Sequence, residues 1–152
     1  MSAGKIKAQF IELRECLPVT KLPEGAIWTW EIKLDGGRME VVKTGGRVTL
    51  YSRRGKNFNA QFGYIARELA YLPDQTVIDG EVVAVDEEGR LNFNLLQNFR
   101  SDESRIVYYA FDIPIHDGHD LMRRPLSVRR EVLAPSFRLR DTLAFRRLRR
   151  DL

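Results

Sequence analysis

A lysine flanked by two carboxylates is the part of this sequence best suited to chemistry. Residues 31–38 read Glu-Ile-Lys-Leu-Asp-Gly-Gly-Arg, with Lys33 between Glu31 and Asp35 and with Arg38 close behind. An amine that is desolvated or held beside other cations can act as a nucleophile. Gly36 and its neighbour let the backbone turn or approach a ligand closely. Taken alone, however, a lysine between two acids is more typical of a solvated, ion-paired surface strand.

The residues before Lys33 predict the element that carries it. Large apolar and polar side chains alternate from position 28, with Trp28, Trp30 and Ile32 between Thr29, Glu31 and Lys33. Successive side chains of a strand point to opposite faces, so this pattern predicts a strand. The apolar residues would be buried, and Glu31 and Lys33 would share the other face.

A second predicted strand, over residues 76–86, carries two acids on one side. Asp79 and Glu81 are separated by one residue in a run that is otherwise apolar on both faces. A carboxylate is costly to bury unless it is paired or bound to a metal ion. These two acids therefore indicate either a functional site or a structural salt bridge, for example from Glu81 to Arg38 or Arg53.

The remaining pattern predicts an α+β domain of antiparallel strands flanked by helices. Paired glycines at 45 and 46, between β-branched runs, predict a hairpin. Residues 59–72 have helical apolar spacing, residues 106–113 form an apolar strand, and residues 116–119 form an exposed turn. Residues 125–133 resemble a helix whose first turn holds Pro125. Residues 5–17 have helix-like spacing, but their assignment stays open.

Composition excludes several classes of protein. The 152 residues are 43% hydrophobic and 30% charged, as in one globular domain, and no apolar run is long enough to cross a membrane. Cys16 is alone, which excludes an intramolecular disulfide and agrees with a reducing cytoplasm. The net charge of +4 lies in residues 137–152, with six arginines and two aspartates, so the rest is neutral. Basicity therefore does not indicate that the region around Lys33 binds nucleic acid.

Four segments in order resemble the motifs of ATP-dependent DNA ligases, most closely the bacterial enzymes of non-homologous end joining. They are residues 30–38, 48–56, 78–84 and 108–112, within a resemblance that covers roughly residues 9–133. The first contains the Lys-x-Asp-Gly sequence of nucleotidyltransferases. In the second, Arg54 replaces a residue that is usually asparagine.

This resemblance implies a reaction and a role for each residue. Lys33 would attack the α-phosphorus of ATP to give lysyl-AMP, and the AMP would pass to a DNA 5′-phosphate before a 3′-hydroxyl seals the break. Magnesium would assist, with Glu81 as a metal or ribose ligand. The other nucleotide-binding residues would be Glu31 on the adenine amino group, Phe111 stacked on the base, Arg38 and Arg53 on the ribose and phosphates, and Asp35 and Gly36 shaping the loop.

The implied fold is the ATP-grasp-like core of the nucleotidyltransferases. We expect residues 1–133 to be part of an adenylation domain, incomplete on its C-terminal side, and residues 134–152 to be a divergent arginine-rich tail. Residues 134–136 read as a break, and no motif IV, motif V or OB-fold sequence follows. The tail could be an amphipathic helix of Leu139, Leu143 and Leu148 that contacts nucleic-acid phosphates, or sequence beyond a truncation or frameshift.

Three functions remain open from the sequence. The first is an ATP-dependent DNA ligase of the cytoplasm, acting on nicked or broken double-stranded DNA with other end-joining proteins and no membrane. The second is an RNA ligase or a capping guanylyltransferase, which share the first motif. The third is a catalytically inactive remnant that binds nucleotide weakly. The sequence predicts no oligomeric state.

Overall fold

One mixed sheet, antiparallel except for its last strand, organises the described part of the chain. The computed structural model describes residues 4–98, 105–137 and 143–145. The strand order is β2-β1-β3-β4-β5 with antiparallel neighbours, while β6 joins β4 in parallel. The elements in chain order are β1 Gly37–Thr44, β2 Arg47–Ser52, α1 Asn59–Glu68, β3 Thr76–Ala84, α2 Phe93–Gln97, β4 Ile106–His116, β5 His119–Asp120, α3 Leu126–Ser136 and β6 Leu143–Phe145. The antiparallel sheet with a few helices confirms the predicted class.

The paired-glycine hairpin is confirmed. Gly45 and Gly46 join β1 to β2 with φ angles of 58° and 74°. A two-residue turn of this kind needs positive φ at both positions, which glycine adopts without steric cost. Asp74 fixes the turn, since its carboxylate accepts hydrogen bonds from both glycine N–H groups at 3.0 and 2.9 Å.

The apolar side chains of the sheet form the core on one face. Helices α1 and α3 contribute Ile65 and Leu133 to this cluster, and both side chains are fully buried. The strands contribute the alternate positions, namely Met39, Val41, Val48, Leu50, Ile78, Val82, Ala84, Ile106, Tyr108, Ala110 and Ile113. The predicted helix over residues 59–72 is confirmed as α1 but ends at Glu68, and Leu69 and Leu72 are buried just beyond it.

The strand predicted from Trp28 to Lys33 is wrong. Strand β1 begins only at Gly37, and residues 31–35 have no regular secondary structure. Trp28 and Ile32, expected inside, are 50% and 75% exposed. Alternation predicts which side chains could share a face. A strand also needs a hydrogen-bonded neighbour at its edge, and alternation does not specify one.

Residues 5–16, hereafter the N-terminal segment, form no helix and instead cross the face of the sheet opposite the core. Three backbone N–H groups attach the segment: Ile6 donates to the Gly118 carbonyl, Ala8 to Gln75 and Ile11 to Glu40. Ala8 is buried against Val42, Val77 and Ile115 on that face. The second face of the sheet is therefore partly covered, which agrees with the sequence of β3, a run that is apolar on both faces.

The C-terminal part differs from two predictions. Residues 134–136 are not a break, because α3 continues to Ser136 with Pro135 in its last turn. Residues 143–145 form a strand on β4 rather than part of an amphipathic helix. Leu139, Leu148 and the arginines of the tail lie outside the described residues. Within the described ranges, no helix has the length and apolar character needed to span a bilayer.

Candidate functional site

Charged residues of β1 and β3 face away from the core, as predicted for Asp79 and Glu81. The register pairs Arg38 with Glu81 and Glu40 with Asp79 across the two strands. Directly opposed residues on antiparallel strands share a face and lie close enough for their side chains to interact. Two acids of β3 and a cation and an acid of β1 are therefore brought together beneath the N-terminal segment.

Arg38 and Asp79 form a two-point ion pair. The Arg38 Nε lies 3.0 Å from Asp79 Oδ1, and Nη2 lies 2.6 Å from Oδ2. Nη1 donates to the Arg14 carbonyl at 2.7 Å, which ties the pair to the N-terminal segment. Asp79 is only 4% exposed, and burial raises its pKa although the Arg38 hydrogen bonds oppose the rise. The salt bridge that the sequence left open is made by Asp79, although Arg38 had been suggested as a partner of Glu81, which is half-buried.

Glu40 is a buried acid that the sequence analysis did not single out. Its side chain is 1% exposed, and Oε1 accepts a hydrogen bond from the Ile11 N–H at 2.9 Å. Oε2 is buried without a hydrogen-bond partner among the described residues. Burial raises the pKa of Glu40 to about 7, with Asp79 adding to the rise and the Ile11 hydrogen bond and Arg38 opposing it.

We expect Glu40 to make folding stability fall as pH rises. Its pKa is about 7 in the folded chain against an ordinary 4.5, so the folded state holds a proton that the unfolded state has lost between these values. Stability from this group is therefore complete below pH 4.5 and is lost as pH rises to about 7. The loss is on the order of 3 kcal/mol, because each pKa unit is worth about 1.4 kcal/mol.

Urea unfolding of the wild type and Glu40→Gln, at about pH 5 and about pH 8, measures this effect. The wild type should lose stability between the two conditions relative to Glu40→Gln, which cannot release a proton. Glu24→Gln is the matched control, since Glu24 is an exposed glutamate with 80% of its side chain accessible. Parallel pH profiles for the wild type and Glu40→Gln would contradict the assignment.

A cleft of about 600 Å³ collects part of the predicted site. Four of the predicted residues line it: Gly36, Arg38, Arg53 and Glu81. Glu15 and Cys16 of the N-terminal segment form another part of the wall, and Arg53 contacts Glu15 at 3.2 Å. With Arg54, the cleft combines three guanidinium groups, two carboxylates and a glycine backbone, which suits a ligand with phosphate and hydroxyl groups.

Gly36 fixes how closely the preceding segment approaches β3. A Cβ at this position would lie 2.3 Å from the Val82 carbonyl oxygen and 2.7 Å from Val83 Cγ1. No side chain fits at those distances, so only glycine allows the chain to enter β1 along this path. The expected role of Gly36 in backbone approach therefore has a physical basis, although the neighbour is β3 rather than a ligand.

Lys33 and Asp35 are exposed and are not among the residues that line the cleft. Within the described residues, Lys33 makes no ion pair with the acids on either side of it. Leu34 between them is buried, with 9% of its surface exposed. The structure thus brings the arginines and Glu81 together and leaves the lysine on the short segment of residues 31–36.

Glu31 and Phe111 are connected by Arg130 of α3. The Arg130 Nη2 lies 2.5 Å from Glu31 Oε1, and its Nε donates to the Phe111 carbonyl at 2.9 Å. The adjacent Arg129 pairs with both carboxylate oxygens of Asp112, at 2.7 and 2.8 Å. The sequence analysis gave this arginine pair no role. The two acids it meets lie far away in sequence, so only the fold reveals them.

No group of three or more histidine, cysteine, aspartate or glutamate side chains within the described ranges could hold a metal ion. Glu81 and Glu15 are the carboxylates on the cleft wall. Mg²⁺ is commonly held by one or two carboxylates together with substrate phosphates and water, so these donors fit a magnesium ion that arrives with a nucleotide.

Comparison with known proteins identifies the family of this chain. The sequence matches the ATP dependent DNA ligase domain over residues 11–149. The multifunctional non-homologous end joining protein LigD of Pseudomonas aeruginosa is 37% identical over 131 residues, which is 84% of this chain and 16% of that protein. The SPbeta prophage-derived DNA ligase-like protein LigB of Bacillus subtilis is 33% identical over 106 residues, covering 68% of this chain and 38% of the relative.

Solved structures agree with the sequence relatives. A mycobacterial DNA ligase D complexed with ATP and MES gives a TM-score of 0.64 at 31% identity, covering 78% of this chain and 39% of that one. The ligase domain of LigD from M. tuberculosis gives 0.63 at 32% identity over the same shares. This chain therefore spans well under half the length of the relatives and structures that it resembles.

Proposed function

The chain belongs to the ATP-dependent DNA ligase family, and from this membership we propose that Lys33 is the residue that becomes joined to AMP. The support is that the family match covers residues 11–149 and includes Lys33 in its Lys-x-Asp-Gly sequence. Beside this sequence the fold forms a cleft lined by Arg38, Arg53 and Glu81. A covalent nucleotidyltransfer needs a nucleophile next to groups that bind phosphate, and Gly36 of the same Lys-x-Asp-Gly sequence lies on the cleft wall.

The proposed step is attack of the Lys33 Nζ on the α-phosphorus of ATP. The nitrogen–phosphorus bond forms as the bond to the β-phosphate oxygen breaks, so pyrophosphate leaves and Nζ loses its proton. The amine of Lys33 must be neutral to attack. Asp35 and Gly36 hold the turn into β1 that follows the lysine.

The remaining residues bind the nucleotide in this proposal. Among the described residues Arg53 pairs with one exposed carboxylate, that of Glu15, so it can exchange Glu15 for a phosphate at little cost. Arg38 donates three hydrogen bonds and lines the cleft, so other N–H donors of its guanidinium remain for a phosphate while it stays paired with Asp79. Glu81 would contact the ribose or a magnesium ion. Glu31 and Phe111 would recognise and stack on the adenine.

Magnesium is part of the proposal because the carboxylates on the cleft wall are suitable ligands for it. Glu81 would hold the ion with the nucleotide phosphates, and the bound ion would supply neutralisation of the charge that develops on them. This chain's own contribution is then the positioning of Glu81 opposite Arg38 across β1 and β3.

We base the finer description of the fold and of the biological role on the same family membership. We assign the sheet to the ATP-grasp-like core of the nucleotidyltransferases, since its polar face carries the proposed site and its apolar face carries the core. We propose nicked or broken double-stranded DNA as the acceptor of AMP, end-joining proteins as partners and the cytoplasm as the location. We propose that residues 1–133 are part of an adenylation domain, and we place residues 134–136 and 143–145 with it because they complete α3 and pair with β4.

The test is incubation of the chain with α-labelled ATP and magnesium, followed by denaturing electrophoresis and mass mapping of the modified peptide. We expect one AMP per chain on the peptide that contains Lys33. Competition between unlabelled ATP and GTP separates an ATP-dependent ligase from a capping-type enzyme, since only ATP should suppress the label. Absence of covalent label would leave a nucleotide-binding remnant and overturn the proposed step.

A further inference from the structure

Residues 31–36, hereafter the lysine segment, have no strand or helix to hold them, yet they are attached at two points. At one end Gly36 lies against the backbone of β3, where a Cβ would be 2.3 Å from the Val82 oxygen. At the other end the Glu31 carboxylate meets Arg130 at 2.5 Å. Lys33 lies between these attachments. The position of its amine therefore depends on both.

Arg130 is an unusual residue to use as an attachment. Its side chain is 8% exposed, and burying a guanidinium is costly unless its donors are satisfied. Its Nη1 is nevertheless buried without a hydrogen-bond partner among the described residues. An apolar side chain would fill the same space without this cost. The guanidinium therefore differs from an apolar side chain in the two contacts that it makes, to Glu31 and to Phe111.

The second contact falls at an irregular point of the sheet. The β3–β4 register pairs Gly80 with Ala110 and Asp79 with Asp112, so Phe111 is the extra residue of a bulge. A bulged residue leaves the regular ladder and needs another partner for its backbone. Arg130 Nε supplies one, donating to the Phe111 carbonyl at 2.9 Å.

We propose that Arg130 is a positioning residue that sets the distance between Glu31 and Phe111 and thereby determines how the nucleotide base is selected. The inference rests on the proposed function, in which these two residues recognise and stack on adenine. A planar guanidinium holds two oxygen acceptors in a fixed geometry, which a lysine ammonium does not. Arg130 acts through Glu31 and Phe111 and does not itself touch the base in this scheme.

The test compares Arg130→Met with Arg130→Lys and with the matched control Arg129→Met. Arg129 is the next residue of α3 and is also partly buried and paired, but with Asp112 instead of the lysine segment. We expect Arg130→Met to raise the ATP concentration for half-maximal labelling at least ~10-fold and to reduce the preference for ATP over GTP by a similar factor. Arg130→Lys should recover part of each loss, and Arg129→Met should keep the wild-type ATP preference even if it unfolds more easily.

A second measurement does not depend on catalysis. Backbone amide order parameters of the lysine segment should fall from about 0.85, typical of a rigid backbone, to below about 0.6 in Arg130→Met, and should not change in Arg129→Met. If the wild type forms no lysyl-AMP, the proposed function fails while the order parameters still decide whether Arg130 positions the segment. If the wild type is labelled and Arg130→Met matches it in ATP dependence, base preference and order parameters, the inference about Arg130 is overturned.

Discussion

Replacing Lys33 by arginine is expected to abolish covalent labelling by ATP while leaving folding stability unchanged. Arginine keeps the positive charge and the exposure of Lys33 but cannot lose a proton in water to become a nucleophile. Loss of the attacking group of a covalent mechanism typically costs at least ~10³-fold in rate. Because Lys33 makes no ion pair among the described residues, the free energy of unfolding should stay within about 0.5 kcal/mol of the wild type.

The measurement is the rate of AMP labelling in excess ATP, together with urea unfolding of the same samples. Lys21→Arg is the matched control, because Lys21 is exposed and pairs only weakly with Glu24 at 3.4 Å. It should label at the wild-type rate. Persistent labelling of Lys33→Arg, or a label that maps to another lysine, would refute the assignment of the nucleophile.

The elements that could be predicted from sequence are those whose signals are local. The turn at Gly45 and Gly46 requires a backbone conformation that few residues adopt, so the hairpin follows from two adjacent positions. Helix α1 follows from apolar spacing within ten residues. The segment from Trp28 to Lys33 has an equally clear local pattern, but whether it pairs depends on a neighbour that no local signal specifies.

In the candidate site, too, the features with a local signal could be predicted and the contacts with distant residues could not. The acids of β3 could be identified because Asp79 and Glu81 interrupt an apolar run, and burial of a carboxylate has a known cost. The partner of Asp79 could not be identified, since Arg38 is 41 residues away in sequence. Arg130 is still further from Glu31, and the N-terminal segment that reaches Glu40 has a helix-like pattern but an extended course. These contacts arise from the register of the sheet and the packing of α3, which are properties of the whole fold.

The largest expected effect on stability comes from separating Arg38 from Asp79. In Asp79→Ala the guanidinium of Arg38, which is 26% exposed, keeps its charge but loses the two hydrogen bonds at 3.0 and 2.6 Å. Removing one partner of a buried ion pair costs roughly 3–5 kcal/mol, because the remaining charge is left without compensation. Partial hydration of Arg38 places this variant near the lower end, about 3 kcal/mol.

The double variant Arg38→Met with Asp79→Leu distinguishes the cost of an orphaned charge from a general loss of packing. Replacing both members of a buried pair by apolar side chains of similar size is often neutral, so we expect its stability to lie within about 1–2 kcal/mol of the wild type. Lys5→Met is the exposed control, since its pair with Asp117 has side chains 62% and 47% accessible and should contribute less than ~1 kcal/mol.

Labelling by ATP then separates structure from function in the same variants. The double variant should fold but label poorly, because the cleft loses one of its three guanidinium groups and Arg38 no longer lies opposite Glu81. A double variant with the summed destabilisation of its two single variants would show that the residues are not energetically coupled. A double variant that folds and labels at the wild-type rate would instead show that Arg38 does not bind the nucleotide. Its pair with Asp79 would then be a purely structural contact.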